Sequence, residues 1–253
     1  MKIESETSDE LLSFGVSPKE AADILWYRGN LLWKLDSNQL EMVDSFKNNN
    51  AKVTVWSCSR QLGKTYTLCA VAIMECLQKK NVIVKFAAPT QRMVKTIIRP
   101  VMRQILADCP EDIRPVEKIA DGFWYFPSTG SQIQVAGCDS GRAENLRGTS
   151  GTLCIVDEAG FVSSELEYIV NSILLPLTTV THGKIILAST PPKSQAHDFV
   201  KFINRARIHK SLTHKTIFDN PRLTRADIDE LALAAGGYES INFKREYLAQ
   251  IIK

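Results

Sequence analysis

The chain has 253 residues, 44% of them hydrophobic, which is enough to bury one sizeable α/β core with or without a small appended subdomain. The formal net charge of +3 excludes a strongly basic protein, so any nucleic-acid binding has to come from a local patch. The N-terminus is acidic and polar, unlike a secretory signal, and no apolar run approaches the ~20 residues of a membrane span. We therefore expect a soluble, intracellular protein.

The six cysteines and four histidines lack the spacing of a metal site. There is no CxxC pair, and the cysteines mostly lie inside apolar segments. We predict that they act as small buried hydrophobic side chains rather than as zinc ligands or disulfides.

From residue 51 onward, short β-rich runs alternate with helical patterns. AKVTVWS, GKTYTLCAVAIMECLQKK, NVIVKFAAP and a helix over about residues 90–107 follow one another in βαβα order. FWYF and SQIQVAG predict an antiparallel excursion, whereas TLCIVD and KIILAST read as buried parallel strands. The pattern predicts an α/β fold whose mostly parallel sheet has helices on both faces.

Helical segments flank this predicted sheet. The N-terminal one, rich in Trp and Leu over residues 26–35, should pack on an edge of the core. After residue 210 the strands are expected to give way to helices near residues 224–235 and 240–252. We accordingly divide the chain into a core over residues 1–210 and a small lid or linker subdomain over residues 211–253.

The segment SRQLGKT lies directly between a predicted strand and a predicted helix, where a phosphate-binding loop works. Backbone N–H groups at the helix start attract phosphates, Lys64 reaches the β- and γ-phosphates, and the Thr65 hydroxyl binds Mg²⁺. Gly63 allows close approach of the backbone. The usual GxxxxGK[ST] pattern requires glycine where this chain has Cys58, which weakens the motif taken alone.

An acidic partner follows in TLCIVDEAG, where an apolar strand ends in Asp157 and Glu158. The first carboxylate is placed to hold the Mg²⁺ shell and the second to polarise the attacking water. Such a pair also caps helices. The two motifs in this order favour an ATP-hydrolysing site.

Phosphoryl transfer needs a positively charged group against the γ-phosphate oxygens in the transition state. Three arginines are available to supply it. Arg60 lies inside the loop, while Arg142 and Arg147 precede the acidic strand. Each has a surface or loop-bracing ion pair as its alternative role. Ser189 and Thr190 end the strand KIILAST, where their hydroxyls either sense the γ-phosphate or cap the strand end.

Taken together, these residues resemble the ATPase domain of the large terminase subunit of tailed double-stranded-DNA bacteriophages. The resemblance covers nearly the whole chain and is carried by SRQLGKT, APTQRMVKTI, NLRGTSGTLCIVDEAGFV, ILASTPP, TIFDNPRLT and NFKREYLAQ. In this family the phosphate loop contains an arginine and lacks the leading glycine, so Cys58 fits it. The resemblance implies a P-loop NTPase fold of the RecA-like ASCE type, with ATP and Mg²⁺ bound.

Residue by residue, the resemblance implies that Gln39 contacts adenine, with an exposed helix position as its alternative, and that Asp157 and Glu158 have the roles given above. Arg60 is the implied arginine in cis, and Arg147 the implied finger that reaches a neighbouring subunit. Helices beyond residue 220 would form a rotating lid. The implied ATP contacts in the loop are Ser59, Arg60, Gln61, Leu62, Gly63, Lys64 and Thr65, Thr65 also binding metal, and the implied coupling residues are Ser189 and Thr190.

The resemblance also implies partners and a location. The protein would move double-stranded DNA into a procapsid, gripping the backbone without reading sequence. It would act as a homo-oligomeric ring on the portal, with the small terminase subunit, in the host cytoplasm. Members of the family normally continue into an RNase H-like nuclease domain. We expect no nuclease activity in these 253 residues, and both a truncation and a split gene remain open.

Two other functions fit parts of the pattern. A superfamily-2 helicase-like ATPase shares the glutamine, GKT, DEA and ST order, but needs a second RecA-like domain that the residues after 210 are too few to form. A nucleotide-gated assembly module would not need the water-activating Glu158. Two sets of basic residues have the spacing of a DNA-binding face, although such sets usually mark a solvated surface: Arg92, Lys95, Arg99 and Arg103, and Lys193, Lys201 and Arg205.

Overall fold

A single eight-stranded sheet organises the part of the chain that the structure describes. The structure is a computed structural model that describes residues 11, 13, 15–163 and 165–252. The first ten residues, which argued against a secretory signal, therefore lie outside the described part. The strands are β1 Val53–Cys58, β2 Ile83–Ala88, β3 Val116–Lys118, β4 Phe123–Phe126, β5 Ser131–Gly137, β6 Leu153–Asp157, β7 Lys184–Ser189 and β8 Leu212–Lys215.

The strand order is β3-β4-β5-β2-β6-β7-β1-β8. Strands β5, β2, β6, β7, β1 and β8 pair in parallel, while β4 is antiparallel to both β3 and β5. The predicted mostly parallel sheet and its antiparallel excursion are thus confirmed. Since β7 lies between β1 and β6, the strand that carries the phosphate loop does not pair with the strand that carries the acids.

Helices cover the sheet, and two of them contain a π-helical stretch. The two π-helical stretches are Val94–Ile98 and Ile169–Leu174, and each is followed within two residues by a proline, Pro100 and Pro176 respectively. Proline cannot donate the i→i−4 hydrogen bond, which accounts for a break in the regular ladder there. The helices are α1 Pro18–Tyr27, α2 Ser37–Lys47, α3 Lys64–Gln78, α4 Gln91–Met93 with Val94–Ile98 and Arg99–Leu106, α5 Leu166–Tyr168 with Ile169–Leu174 and Leu175–Thr179, α6 Asp198–Ile208, α7 Arg225–Ala234 and α8 Ile241–Glu246.

Helix starts follow the capping residues in the sequence. Ser17, Asp36 and Thr224 each accept from the N3 amide while the N3 side chain returns the bond, forming a capping box. The Asp36 box places Gln39 at N3 of α2, so capping fixes the position of a side chain predicted to contact the base.

The structure of the chain after residue 210 differs from our expectation. Leu212–Lys215 forms β8 and pairs in parallel with β1, so the sheet extends beyond the point where we expected strands to end. The second helix there is also shorter than predicted, spanning Ile241–Glu246. Propensity could not show that a four-residue segment completes the edge of the sheet, because tertiary pairing decides it. The division into core and lid remains a prediction.

Apolar side chains form separate clusters on the two faces of the sheet and in the C-terminal helices. Five of the six cysteines are buried and all six are free thiols, consistent with the predicted packing role. The cluster in the C-terminal helices is small and contains Ile217, Ile228, Ala232 and Phe243. Within the described ranges, no helix has the length and apolarity required to cross a bilayer.

We predict that Phe243→Ala destabilises the chain by about 3–5 kcal/mol, the usual cost of removing a buried phenyl ring. Phe243 is fully buried and meets Tyr238 edge-on at 4.8 Å between ring centroids. Urea denaturation followed by circular dichroism measures the change in the free energy of unfolding. Phe218→Ala is the matched control, because that ring is 47% exposed and should cost much less. Equal losses in the two variants would contradict this account of the cluster.

Candidate active site

The phosphate loop connects β1 to α3 through residues 59–63 and wraps around the side-chain amine of Lys64. Gln61 and Gly63 adopt left-handed backbone angles, with φ of 64° and 72°. The Lys64 Nζ donates to the carbonyl oxygen of Ser59 at 2.8 Å and to that of Cys58 at 3.4 Å. The loop therefore curves back over the start of the helix, as a phosphate cradle requires.

Gly63 is required by two constraints at once. Its φ of +72° disfavours other residues, and an added Cβ would lie 2.2 Å from the Gln39 Nε2 and 3.0 Å from the Arg222 Nη2. The Gln39 amide donates to the Gly63 carbonyl at 3.4 Å. The structure thus brings the predicted adenine-contacting residue against the loop.

Asp157 lies at the end of β6, fully inside the protein. It accepts a hydrogen bond from the Thr65 hydroxyl at 2.6 Å, and its other oxygen accepts from the Glu158 amide at 3.0 Å. Burial, followed by the neighbouring Glu158 carboxylate, raises the pKa of Asp157. The hydroxyl and carboxylate together are the hard oxygen donors that suit Mg²⁺, so these two residues fit the predicted metal.

Glu158 follows in a left-handed conformation, with φ of 49°. This angle is unfavourable for a residue with a side chain and is maintained by the surrounding structure. The carboxylate lines the cleft beside the loop and accepts a hydrogen bond from the Ser189 hydroxyl at 3.2 Å. The strained turn therefore aims Glu158 into the cleft and ties it to the end of β7.

Gly160 permits this contact, and our sequence reasoning missed it. A Cβ here would lie 2.6 Å from the Thr190 carbonyl oxygen and 2.8 Å from the Ser189 hydroxyl. Thr190 itself is buried. The available signal was a glycine two residues after the acidic pair in DEAG, where two strand ends converge.

A cleft of about 850 Å³ opens beside the loop. Lys64, Thr65 and Glu158 supply charged and polar groups, and Tyr66 and Val101 add aromatic and aliphatic surface. The charged and polar groups suit the triphosphate of a nucleotide, and the aromatic and aliphatic surface suits its adenine ring. The cleft is lined by Lys34, Asp36, Gln39, Arg60, Gln61, Gly63, Lys64, Thr65, Tyr66, Val101, Gln104, Glu158 and Arg222.

Two loop residues contribute to this site without presenting a side chain to the cleft. The Leu62 side chain is buried in the hydrophobic core. Ser59 is buried as well, its amide donates to the Lys215 carbonyl at 2.9 Å, and its hydroxyl donates to the Arg60 carbonyl at 3.0 Å. Any contribution from Leu62 to phosphate binding is therefore through its backbone.

The two proposed catalytic arginines occupy different surroundings. Arg60 lines the cleft and lies 3.7 Å from the Glu246 carboxylate at the end of α8. Arg147 does not line the cleft; it forms an ion pair with Glu144 and donates to the Tyr168 hydroxyl at 2.7 Å. Arg142 pairs with Asp139 at 3.0 Å, which is the loop-bracing role given as its alternative.

The C-terminal segment braces the loop. The side-chain amide of Asn220 donates to the backbone carbonyl of Gln61 at 2.8 Å. The backbone amide of Arg60 donates to the backbone carbonyl of Glu246 at 2.9 Å. Arg222, which we did not identify from the sequence, pairs with Asp36 at 3.2 Å and lines the cleft. Its signal was a basic residue two positions after Asn220 in the TIFDNPRLT segment.

The basic residues considered for DNA binding are largely paired with acids. Arg99 is buried and lies 3.4 Å from the Glu117 carboxylate, which Arg103 also contacts at 2.8 Å. Lys201 and Arg205 both contact Glu167, at 2.9 and 3.0 Å. These arrangements support the solvated-surface interpretation for Arg103, Lys201 and Arg205, whereas Arg99 is buried and does not belong to a surface patch.

We predict that Gly160→Ala impairs hydrolysis while ATP affinity stays within a few-fold. The new methyl group would press on the Thr190 carbonyl and displace the turn that holds Glu158. Since a 1 Å misplacement can cost about 10²-fold, hydrolysis should fall roughly tenfold or more. Steady-state turnover and an equilibrium ATP titration measure both effects. Gly151→Ala is the milder control, because the atom nearest to its added Cβ, the Lys85 Cγ, would be 3.3 Å away rather than 2.6 Å. Normal turnover in folded Gly160→Ala protein would contradict the prediction.

Comparison with known proteins places this site in a family. Residues 56–253 match the family model for the terminase large subunit, T4likevirus-type, N-terminal. No curated protein matches the chain. The large terminase of the thermophilic bacteriophage D6E superposes with a TM-score of 0.69 at 16% identity, over 85% of this chain and 53% of that one. The D6E protein has also been solved in complex with ADP and with ATP-gamma-S.

Two further terminases superpose similarly. The ATPase domain of the Thermus phage P74-26 large terminase gives a TM-score of 0.66 at 18% identity, over 90% of this chain and 97% of that one. The HK97 bacteriophage large terminase gives 0.67 at 17% identity, over 85% and 50%. This chain thus spans about half the length of the D6E and HK97 chains. The comparisons confirm the P-loop fold and lend no support to the helicase alternative. Because the family model matches most of its length, the chain belongs to the terminase large subunit family, T4likevirus type.

Proposed function

We propose that this chain is the ATP-hydrolysing motor domain of a viral DNA-packaging terminase. The observation that carries the proposal is the convergence of Lys64, Thr65, Asp157 and Glu158 at one edge of the sheet, beside a cleft of about 850 Å³. Family membership and the nucleotide complexes of the D6E protein support it.

ATP binding follows from the loop geometry. The Lys64 amine exchanges its contacts with the loop carbonyls for β- and γ-phosphate oxygens, and the amides at the start of α3 bind the phosphates. Gln39 is held against Gly63 by its capping box, which places a base-reading amide at the loop. Tyr66 and Val101 provide the apolar surface on which the base rests.

Hydrolysis is assigned to the acidic pair. Thr65 and Asp157 would hold Mg²⁺, and the bound ion would supply positive charge against the phosphates. Glu158 accepts a proton from a water whose oxygen attacks the γ-phosphorus, and the bond to the β-phosphate oxygen breaks to release ADP and phosphate. The Ser189 hydroxyl orients the Glu158 carboxylate through its 3.2 Å bond.

Coupling to movement is assigned to the two segments that contact this site. Ser189, which is bonded to Glu158, and Thr190, which packs against Gly160, lie at the end of β7. A movement of Glu158 would therefore shift the end of that strand. Asn220, Arg222 and Glu246 connect the C-terminal segment to the loop and to Asp36, so a change in loop conformation reaches that segment directly.

The two arginines divide into a cis and a trans role. Arg60 is in the cleft and orients the γ-phosphate within one subunit. Arg147 lies outside this subunit's cleft on a half-exposed segment, which suits presentation to a neighbour. An arginine finger contributes about 10³–10⁵-fold in rate.

The partners follow from this role. We propose double-stranded DNA bound through its backbone, a homo-oligomeric ring on the portal, and the small terminase subunit, in the host cytoplasm. Nuclease activity is not assigned to this chain. Within the described residues, there is no group of three or more His, Cys, Asp or Glu placed to hold a metal ion.

We predict that Glu158→Gln lowers ATP hydrolysis by roughly 10²-fold or more, while ATP affinity changes no more than a few-fold. The substitution removes the proton acceptor and keeps the shape. Phosphate release and nucleotide titration measure the two quantities separately. Glu239→Gln, at a 90% exposed side chain, is the matched control and should behave as the wild type. A Glu158→Gln enzyme with near-normal turnover would refute the base assignment.

We further predict complementation between subunits. Lys64→Ala subunits keep the finger and lose the nucleotide site, whereas Arg147→Ala subunits keep the site and lose the finger. Under assembling conditions a mixture should recover ATPase activity that neither variant shows alone, and wild-type specific activity should rise with protein concentration. If no mixing ratio restores turnover and wild-type activity is independent of concentration, the trans role fails and Arg60 becomes the favoured arginine.

A further inference from the structure

Arg147 belongs to a closed network of three side chains. Its Nη2 donates to the Tyr168 hydroxyl at 2.7 Å, its Nε side pairs with Glu144, and the Tyr168 hydroxyl donates to a Glu144 oxygen at 3.0 Å. The guanidinium carbon also lies 5.9 Å from the centroid of the Tyr168 ring. Tyr168 is 43% exposed and the Arg147 side chain 46% exposed, so the network is on the surface.

The direction of the hydroxyl bond matters. Because Tyr168 gives its proton to Glu144, its oxygen lone pairs are left to accept from Arg147. The planar guanidinium is thereby held through Nε and Nη2. Its Nη1 makes no hydrogen bond or ion pair to any other described residue, and this donor remains available to an external anion.

A second contact fixes the chain just beyond the arginine. Lys85, in the middle of β2 and 1% exposed, donates to the Thr149 hydroxyl at 3.1 Å and to the Gln134 side chain at 2.6 Å. A buried ammonium needs such partners, so this anchor is costly to break. The backbone that carries Arg147 is therefore tied to the sheet, and the side-chain network decides where the guanidinium points.

We propose that Tyr168 is the positioning residue for Arg147, presenting one edge of its guanidinium to the anionic phosphate of a neighbouring subunit's nucleotide. The proposal rests on the proposed trans role of Arg147. Tyr168 suits it because a neutral hydroxyl can keep its bond when the arginine engages a phosphate, whereas the Glu144 carboxylate would repel that phosphate. Without Tyr168, the long arginine side chain loses an ordering contact before each encounter.

The test uses the complementation mixture of Lys64→Ala and Arg147→Ala subunits, with Tyr168→Phe added to one partner at a time. On the Lys64→Ala subunit, which donates the finger, Tyr168→Phe should lower the recovered kcat severalfold, by less than the about 10²-fold cost of a 1 Å misplacement. The KM for ATP should not change, because the working nucleotide site is on the other subunit. On the Arg147→Ala subunit, the same substitution should leave the recovered rate unchanged.

Tyr27→Phe on the donor is the matched control, since Tyr27 is also exposed and also bonds a carboxylate, that of Asp112 at 2.9 Å. It should have no effect. Sedimentation and thermal melting check that each variant assembles and folds.

The outcomes separate the two proposals. If the parent mixture recovers no activity, the trans role of Arg147 falls and the positioning role falls with it. If the mixture recovers and donor Tyr168→Phe matches donor Tyr27→Phe, only the positioning role is overturned. Equal losses from both placements, or loss of assembly, would show that Tyr168 is structural and would also overturn it.

Discussion

The 2.6 Å hydrogen bond from Thr65 to Asp157 connects two strands that do not pair with each other. Thr65 lies in the first turn of the helix that follows β1, and Asp157 ends β6, with β7 between them. The register aligns Ser57 with Ser189 and Ala188 with Asp157. The C-terminal ends of β1, β7 and β6 therefore lie at the same edge of the sheet. Parallel pairing thus assembles the site, and the remaining geometry depends on it.

The same convergence places a buried carboxylate, that of Asp157, directly beside a second one that faces the cleft. Asp157 is buried next to Glu158, and both effects disfavour its ionised form, while the Thr65 hydroxyl and the Lys64 amine favour it. A buried carboxylate next to another carboxylate is unfavourable in isolation, and a divalent cation or a cationic side chain relieves it. The electrostatics therefore suit a site built for a bound cation and the phosphates that accompany it.

Much of this could be predicted from sequence because the signals are local. A lysine and threonine at a strand-to-helix junction, and acids at the end of an apolar strand, define the chemistry without tertiary information. Arg222 and Gly160 escaped prediction because their importance comes from neighbours distant in sequence, Asp36 for one and the end of β7 for the other. Strand β8 escaped for the same reason, since only its pairing with β1 identifies it.

Arg60 and Arg147 also show why a residue type alone does not assign a role. Arg60 is tied to the C-terminal segment through its amide and its pairing with Glu246, so its position depends on a segment that also braces Gln61 through Asn220. Arg147 is tied to neither the cleft nor that segment, and its partners are on α5 and on its own loop. In the proposed cis role, Arg60, held by the C-terminal segment, would respond to nucleotide in its own subunit. In the proposed trans role, Arg147, held on the outer surface, would respond to a neighbouring subunit, so the two attachments would give the proposed motor both an internal and an intersubunit control of hydrolysis.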